Sequence, residues 1–176
     1  MLIPKVLVVC DSRTRATERV AYAIQNCLQI RGLRCDVELL HDPASARSAK
    51  HTAEPSCCAT APLRHKTEEY DIVVVGAPAS GPAVSSQVET FLHAHGAEIH
   101  GLGSFVVRGG HYEDGMSVRI EELAGRPPIA QLAVPESAIE NGKFKKLVRP
   151  FVEQLEHEAR RRAQGSPAAP QSPSTQ

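Results

Sequence analysis

Residues 6–21 of the chain read Val6-Leu7-Val8-Val9-Cys10-Asp11-Ser12-Arg13-Thr14-Arg15-Ala16-Thr17-Glu18-Arg19-Val20-Ala21. The first four residues are apolar without alternation, which is typical of a strand that is covered on both faces. From Val20 onward the apolar residues recur at helical spacing. The segment therefore predicts a buried strand, a short loop and the start of a helix.

The loop in this segment is rich in hydroxyl groups and positive charge, with Ser12, Thr14 and Thr17 beside Arg13 and Arg15. Free backbone N–H groups and the positive end of a helix dipole meet at such a place, which favours a bound phosphate. A purely structural interpretation is equally open, because a threonine in this position can simply cap the helix. The glycine-rich signature that would separate the two interpretations is missing.

Strands and helices alternate along the rest of the chain. The apolar patterns predict strands at 5–10, 35–40, 70–76, 102–107 and 129–134, and helices at 16–30, 84–95, 116–123 and 143–162. Pro150 should either kink the last helix or mark its true start. Such alternation is typical of a parallel sheet with helices on both faces, joined by right-handed crossovers.

One domain over residues 1–163 is the expected organisation. Residues 41–69 are rich in Pro, Ala, Ser and His, and only 44–53 have the composition of a crossover helix, so we expect an irregular crossover there. Residues 164–176 are rich in Pro, Ser and Gln and are expected to form a disordered tail.

The composition excludes several classes of function. The 176 residues carry 20 basic and 20 acidic side chains, so no broad basic field for nucleic acid is expected. No transmembrane segment or secretory leader is recognisable, and we expect a cytoplasmic protein.

The five cysteines show neither a disulfide framework nor a metal-ligand spacing, and no metal site is expected. Cys10, Cys27 and Cys35 should be small core residues, and Cys57 and Cys58 the exposed thiols, of unassigned role.

Two further loops should join the first one, because each follows a predicted strand. Residues 77–83, which include Pro78, Ala79, Ser80 and Gly81, follow the strand 70–76. Residues 108–115, which include Gly109, Gly110, His111 and Tyr112, follow the strand 102–107. Parallel strands end at the same edge of a sheet, so the three loops should converge. On the residues alone, these could equally be proline and glycine turns.

The three loops resemble those of the flavodoxin family. The run Ser12–Ala21 is similar to the family's phosphate loop, S-x-T-G-N-T-E-x-V-A, although Arg15 replaces the glycine and Ala16 the asparagine. The strand that begins with Tyr70-Asp71 and is followed by Gly76-Ala77-Pro78 is similar to the family's strand and second flavin loop. The usual aromatic residue of that loop is missing here. The Gly-Gly pair resembles the third flavin loop.

The resemblance implies a three-layer, doubly wound flavodoxin-like sandwich with a five-stranded parallel sheet of order 2-1-3-4-5. It also implies FMN as the cofactor, with the phosphate held by the first loop and the ring by the other two, and with Tyr112 stacking on the ring. The implied contacts are Ser12, Arg13, Thr14, Arg15, Ala16, Thr17, Pro78, Ala79, Ser80, Gly81, Gly109, Gly110, His111 and Tyr112. No residue need be catalytic, because the flavin carries the redox chemistry.

The function implied is that of an FMN-binding redox protein, either an electron-transfer protein or a flavin-dependent oxidoreductase, with an unknown protein or small-molecule acceptor. One alternative is a degenerate module of the same fold that has lost flavin and serves in interaction or regulation. Another is the binding of a different phosphorylated ligand at the first loop.

Overall fold

The computed structural model describes residues 3–11, 13–40, 63–79, 84–109 and 115–164. Its sheet has five parallel strands in the order β2-β1-β3-β4-β5, so the predicted topology is confirmed. The strands are β1 Lys5–Asp11, β2 Arg34–Leu40, β3 Ile72–Ala79, β4 Leu102–Arg108 and β5 Ala130–Pro135. The α-helices are α1 Arg15–Ile30, α2 Ser86–His95, α3 Gly115–Ala124, α4 Glu136–Glu140 and α5 Phe144–Ala163. Short 3-10 helices span Thr67–Glu69 and Gly96–Glu98.

Helices cover both faces of the sheet, which gives the predicted three-layer sandwich. Helices α1 and α5 pack with one face in a single buried cluster, and α2 and α3 pack with the other face in a second. Along β1, Val6 and Val8 enter the first cluster, whereas Leu7 and Val9 enter the second. This two-sided burial is why the strand is apolar at every position, as the sequence predicted.

Several boundaries differ from the sequence prediction. Strand β3 starts at Ile72 and continues to Ala79, so that Pro78 and Ala79 extend the strand instead of opening the loop. Helix α4 was not predicted, because a five-residue helix leaves no clear periodic pattern. Helix α5 starts at Phe144, six residues before Pro150, so Pro150 does not mark its start.

The cysteine predictions are confirmed in part. Cys10 and Cys35 are buried, and burial raises the pKa of each thiol to about 12, while Cys27 is half-buried. Neither buried thiol is a ready nucleophile at neutral pH, because the thiolate is the reactive form. Cys57 and Cys58, like the crossover helix expected at 44–53 and the tail from 165 onward, lie outside the described residues.

The end of the crossover is fixed to the edge strand β2 by buried polar groups. Glu38, which is buried, accepts hydrogen bonds from the Arg64 backbone N–H at 3.0 Å and pairs with His65 Nδ1 at 2.8 Å. Tyr70 donates its hydroxyl hydrogen to Asp36 at 2.9 Å. The chain is thus anchored on β2 before it enters the central strand β3.

One contact in the centre of the sheet leaves no room for a side chain. Gly76 of β3 lies opposite Phe105 of β4, and the fully buried Phe105 ring occupies the space above it. A Cβ atom added to Gly76 would stand 2.1 Å from Phe105 Cζ. A glycine at this position therefore leaves room for the Phe105 ring next to β3.

The far ends of α1 and α5 are joined by ion pairs. Arg31, which follows α1, contacts Glu156 at 2.6 Å and Glu153 at 3.0 Å. Arg160 contacts Glu156 at 3.1 Å and donates to the Arg31 backbone carbonyl at 2.7 Å. These contacts fix the register in which the two helices run side by side.

The hydroxyl of Ser104 in β4 is buried without a hydrogen-bond partner among the described residues. Leu102 and Val106, on the same face of β4, belong to the apolar cluster under α2 and α3. Because a buried unpaired hydroxyl costs free energy, we expect Ser104→Ala to raise the free energy of unfolding by about 1 kcal/mol in urea denaturation. A clear loss of stability would contradict this and would mean that the hydroxyl has a partner.

Candidate functional site

Three strand ends meet at one edge of the sheet. In the register of the sheet, Cys10 of β1 lies opposite Gly76 of β3, which lies opposite Phe105 of β4. The chain leaves β1 for α1 on one face and leaves β3 for α2 on the other face. The edge between β1 and β3 is therefore the switch point at which open α/β sheets bind ligands.

The first loop is shorter than the sequence predicted, because α1 already starts at Arg15. Arg15, Ala16 and Thr17 thus form the first turn of the helix, and Thr14 is its N-cap. The N–H groups of a first helical turn have no partner within the helix. Thr14 Oγ1 accepts the Thr17 N–H at 3.3 Å, and the N–H groups of Arg15 and Ala16 have no hydrogen-bond partner among the described residues. Ser12 lies outside the described residues.

The two threonines form a hydroxyl pair, with 2.7 Å between Thr14 Oγ1 and Thr17 Oγ1. Thr17 is fully buried, whereas Thr14 is half-buried. The Thr14 hydroxyl is therefore the more accessible of the two, and its hydrogen bond with the buried Thr17 hydroxyl fixes its position. The capping interpretation of the sequence is confirmed, and capping leaves the phosphate interpretation open because no described residue accepts the Arg15 and Ala16 N–H groups.

The two arginines of the loop differ in their charge environment. Arg13 contacts the fully buried carboxylate of Asp11, with 2.8 Å between Nε and Oδ2. The Arg13 backbone N–H also donates to Asp11 Oδ1, at 2.9 Å. The charge of Arg13 is therefore balanced by Asp11. Arg15 is exposed and makes no ion pair with any described residue.

Asp11 is a residue of the site that sequence reasoning missed. The signal was present, because an aspartate directly after a buried strand and two residues before an arginine can bond the backbone two residues on. Its carboxylate brings negative charge to the loop, and Arg13 neutralises that charge. Cys10, next to it, is too deeply buried to take part.

The second loop is described only at its two ends. Pro78 is buried and Ala79 half-buried at the end of β3, and Ser80 and Gly81 lie outside the described residues. After the loop, Ser85 caps α2 without a side-chain hydrogen bond. Its buried hydroxyl has no partner within the described part of the chain.

The third loop starts at Gly109, which is exposed directly after β4. A Cβ atom on Gly109 would stand 3.0 Å from Glu136 Oε2, so α4 borders this loop. Gly110, His111 and Tyr112 lie outside the described residues, and the stacking role of Tyr112 stays a prediction.

The described residues contain neither a metal-binding cluster nor a membrane-spanning helix. Within that part of the chain, no group of three or more His, Cys, Asp and Glu side chains could hold a metal ion. None of its helices has the length and apolar character needed to cross a bilayer.

Comparisons with known proteins identify the fold. The sequence matches no protein-family model and no curated protein. Among solved structures, a short-chain flavodoxin associated with a PDU bacterial microcompartment is 16% identical, with a TM-score of 0.57, 89% of this chain covered and 99% of that one. A flavoprotein from Lactobacillus acidophilus in complex with FMN is 14% identical, with a TM-score of 0.55 and coverages of 80% and 98%. The two-electron reduced flavodoxin of Megasphaera elsdenii is 16% identical, with a TM-score of 0.55 and coverages of 89% and 98%.

Proposed function

We propose that this chain, which has a flavodoxin-like fold, binds FMN at the edge formed by the ends of β1, β3 and β4 and serves as a redox protein. The observation that carries the proposal is the capped first turn of α1, whose Arg15 and Ala16 N–H groups have no partner in the described part of the chain, at the switch point of this sheet. The likeness to flavodoxins and to a flavoprotein with FMN supports the same ligand. It gives no support to a module that has lost flavin.

The donors present suit a phosphate. Arg15 and Ala16 contribute N–H groups from the first turn of α1, Thr14 contributes the hydroxyl of the N-cap, and Arg15 adds an exposed positive charge. A phosphate there would be stabilised by directed hydrogen bonds and by the helix dipole. Ser12 and Arg13 complete the proposed phosphate loop, with Arg13 shared between the ligand and Asp11.

The ring of FMN would lie over the other two loops. Pro78, Ala79, Ser80 and Gly81 would line one side, and Gly109, Gly110, His111 and Tyr112 the other. When bound, FMN would supply the electron transfer, and the protein would set its access and potential. We assign no catalytic residue, and we leave open whether the protein is an electron carrier or a flavin-dependent oxidoreductase. As part of the proposal we place it in the cytoplasm.

The decisive experiment is a visible absorption spectrum of the purified protein, followed by an FMN titration of the apoprotein by fluorescence quenching. We expect flavin absorption bands, or saturable binding with a Kd of about 1 μM or below. A parallel titration with riboflavin, which lacks the phosphate, should give clearly weaker binding. A colourless protein that does not bind FMN would overturn the proposal.

The Asp11 carboxylate should weaken FMN binding, because it brings negative charge to the phosphate loop. We expect Asp11→Asn to tighten FMN binding by about fivefold, since the amide oxygen can still accept the Arg13 N–H while the charge is removed. Riboflavin affinity should not change. Weaker FMN binding in this variant would show instead that the ion pair with Arg13 is needed to shape the loop.

A further inference from the structure

The surface where α1 and α5 run side by side has an uneven charge distribution. Arg31 contacts Glu153 and Glu156 at the far end, and Arg19 lies over the Phe144 ring at the near end, 5.8 Å from its centroid. The two helices therefore run in the same direction. The near end is the one at which Thr14 caps α1, so it shares the sheet edge of the proposed flavin site.

At the near end the cations that lie on the two helices have no ion-pair partner among the described residues, whereas Arg13, ahead of α1, is paired with Asp11. One turn before Arg19 lies Arg15, at the helical spacing that places both on one face of α1. On α5, Glu153 contacts Arg31. Arg149 precedes Glu153 by one turn, so it lies on the same face of α5 but closer to the near end. The α1–α5 basic surface, as we call it, comprises the exposed cations Arg15, Arg19, Lys143, Lys145, Lys146 and Arg149.

Nearby carboxylates do not balance this charge. Glu18 lies on α1, and Glu136 and Glu140 lie on α4, which packs beside α1. None of the three forms an ion pair with a described residue, and the cations outnumber them. The whole chain has a net charge of zero, so this is a local excess.

One exposed aromatic side chain lies beside the cations of α1. Tyr22 is 48% exposed and is among the few large apolar residues left exposed in the described chain. Tyr22 follows Arg19 by three residues, so it lies next to Arg19 on the exposed face of α1. Tyr and Arg are the residues that most often dominate binding at protein–protein interfaces.

We infer that the α1–α5 basic surface docks an acidic protein, and, resting on the proposed FMN function, that this partner exchanges electrons with the flavin. Charge complementarity is the basis for the sign of the partner's surface, because opposite fields accelerate and orient association. The exposed Tyr22 ring beside the cations favours a protein over a nucleic acid, as does the neutral net charge of the chain.

The test measures binding of a plant-type [2Fe–2S] ferredoxin, used as a defined acidic redox protein. Calorimetric titrations at ionic strengths of about 0.01 M and about 0.1 M compare the wild type with Lys145→Glu/Lys146→Glu. The matched control is Arg64→Glu/Lys66→Glu, which makes the same change of charge at two exposed residues ahead of β3. We expect salt-sensitive binding, an affinity loss of about tenfold or more in the Lys145/Lys146 variant, and little change in the control.

A second variant separates docking of a protein from attraction of any polyanion. Tyr22→Ser leaves the charge unchanged, and we expect it to weaken ferredoxin binding without affecting the binding of a DNA duplex. Equal losses in the Lys145/Lys146 variant and its control would overturn the inference. So would tighter binding of duplex DNA, or of phosphatidylserine vesicles, than of ferredoxin.

Each titration is carried out with and without FMN, so that the two proposals fail separately. Ferredoxin binding that depends on Lys145 and Lys146 in a chain that does not bind FMN would support the docking surface and overturn its redox role. A chain that binds FMN but shows no effect of the charge reversal would leave the flavin site standing and remove the docking surface.

Discussion

Gly76→Ala is expected to lower the free energy of unfolding by about 3 kcal/mol, or to prevent folding, because the new methyl group would overlap the Phe105 ring. The overlap is severe, with 2.1 Å from the added Cβ to Phe105 Cζ and 2.3 Å to Cε1. Phe105 cannot swing away easily, since it is fully buried in the cluster under α1 and α5. Urea denaturation followed by circular dichroism measures the effect.

The matched control is Gly115→Ala at the start of α3, where an added Cβ meets nothing within 4 Å. That variant should be neutral or slightly stabilising, because alanine has the higher helix propensity. Shrinking the ring in a Gly76→Ala/Phe105→Leu double variant should recover part of the lost stability. A double variant whose destabilisation is the sum of the two single effects would contradict a direct clash.

Thr14→Ala/Thr17→Ala is expected to weaken FMN binding by about a hundredfold. The double variant removes the hydroxyl pair at the start of α1 and the N-cap itself, so the phosphate would lose donors and a well-formed first turn. Loss of the cap should also lower the free energy of unfolding by about 1 kcal/mol. FMN titration of the folded variant by fluorescence quenching measures the change in Kd.

Riboflavin and a distant threonine serve as controls for this variant. Because riboflavin has no phosphate, its affinity should stay close to that of the wild type. Thr90→Ala, which removes an exposed hydroxyl bonded to the Ser86 carbonyl in α2, should bind both ligands normally. Unchanged FMN affinity in the threonine double variant would remove the first loop from the proposed site.

The topology could be predicted from the sequence because buried parallel strands leave a strong pattern. Val6–Val9 and Ile72–Val75 are apolar at every position, and each is fully buried in the structure. The ends of the strands and helices were harder to predict from the sequence. The extension of β3 to Ala79 depends on pairing with Arg108 across the sheet, which no local pattern reports.

The sequence predicted the location of the site more accurately than the contacts between its side chains. Convergence of the three strand ends follows from topology, and it is present. Arg13 is paired with Asp11, which lies within 2.8 Å at the end of β1, and the prediction counted only the positive charge that Arg13 adds. The uneven charge between α1 and α5 arises from residues more than a hundred positions apart and was invisible to any local motif.

Helix α5, the last helix to be synthesised, covers part of α1, one of the first elements of the chain. The cluster under α2 and α3 is complete once Ala124 has left the ribosome, whereas the cluster under α1 draws on residues from Val6 to Ala159. During translation α1 can pack on β1, β2 and β3, but the side of α1 that faces α5 stays uncovered until the last helix has been synthesised. We expect nascent chains halted before Phe144 to expose that side and to be bound by chaperones, and synthesis of α5 to end this exposure.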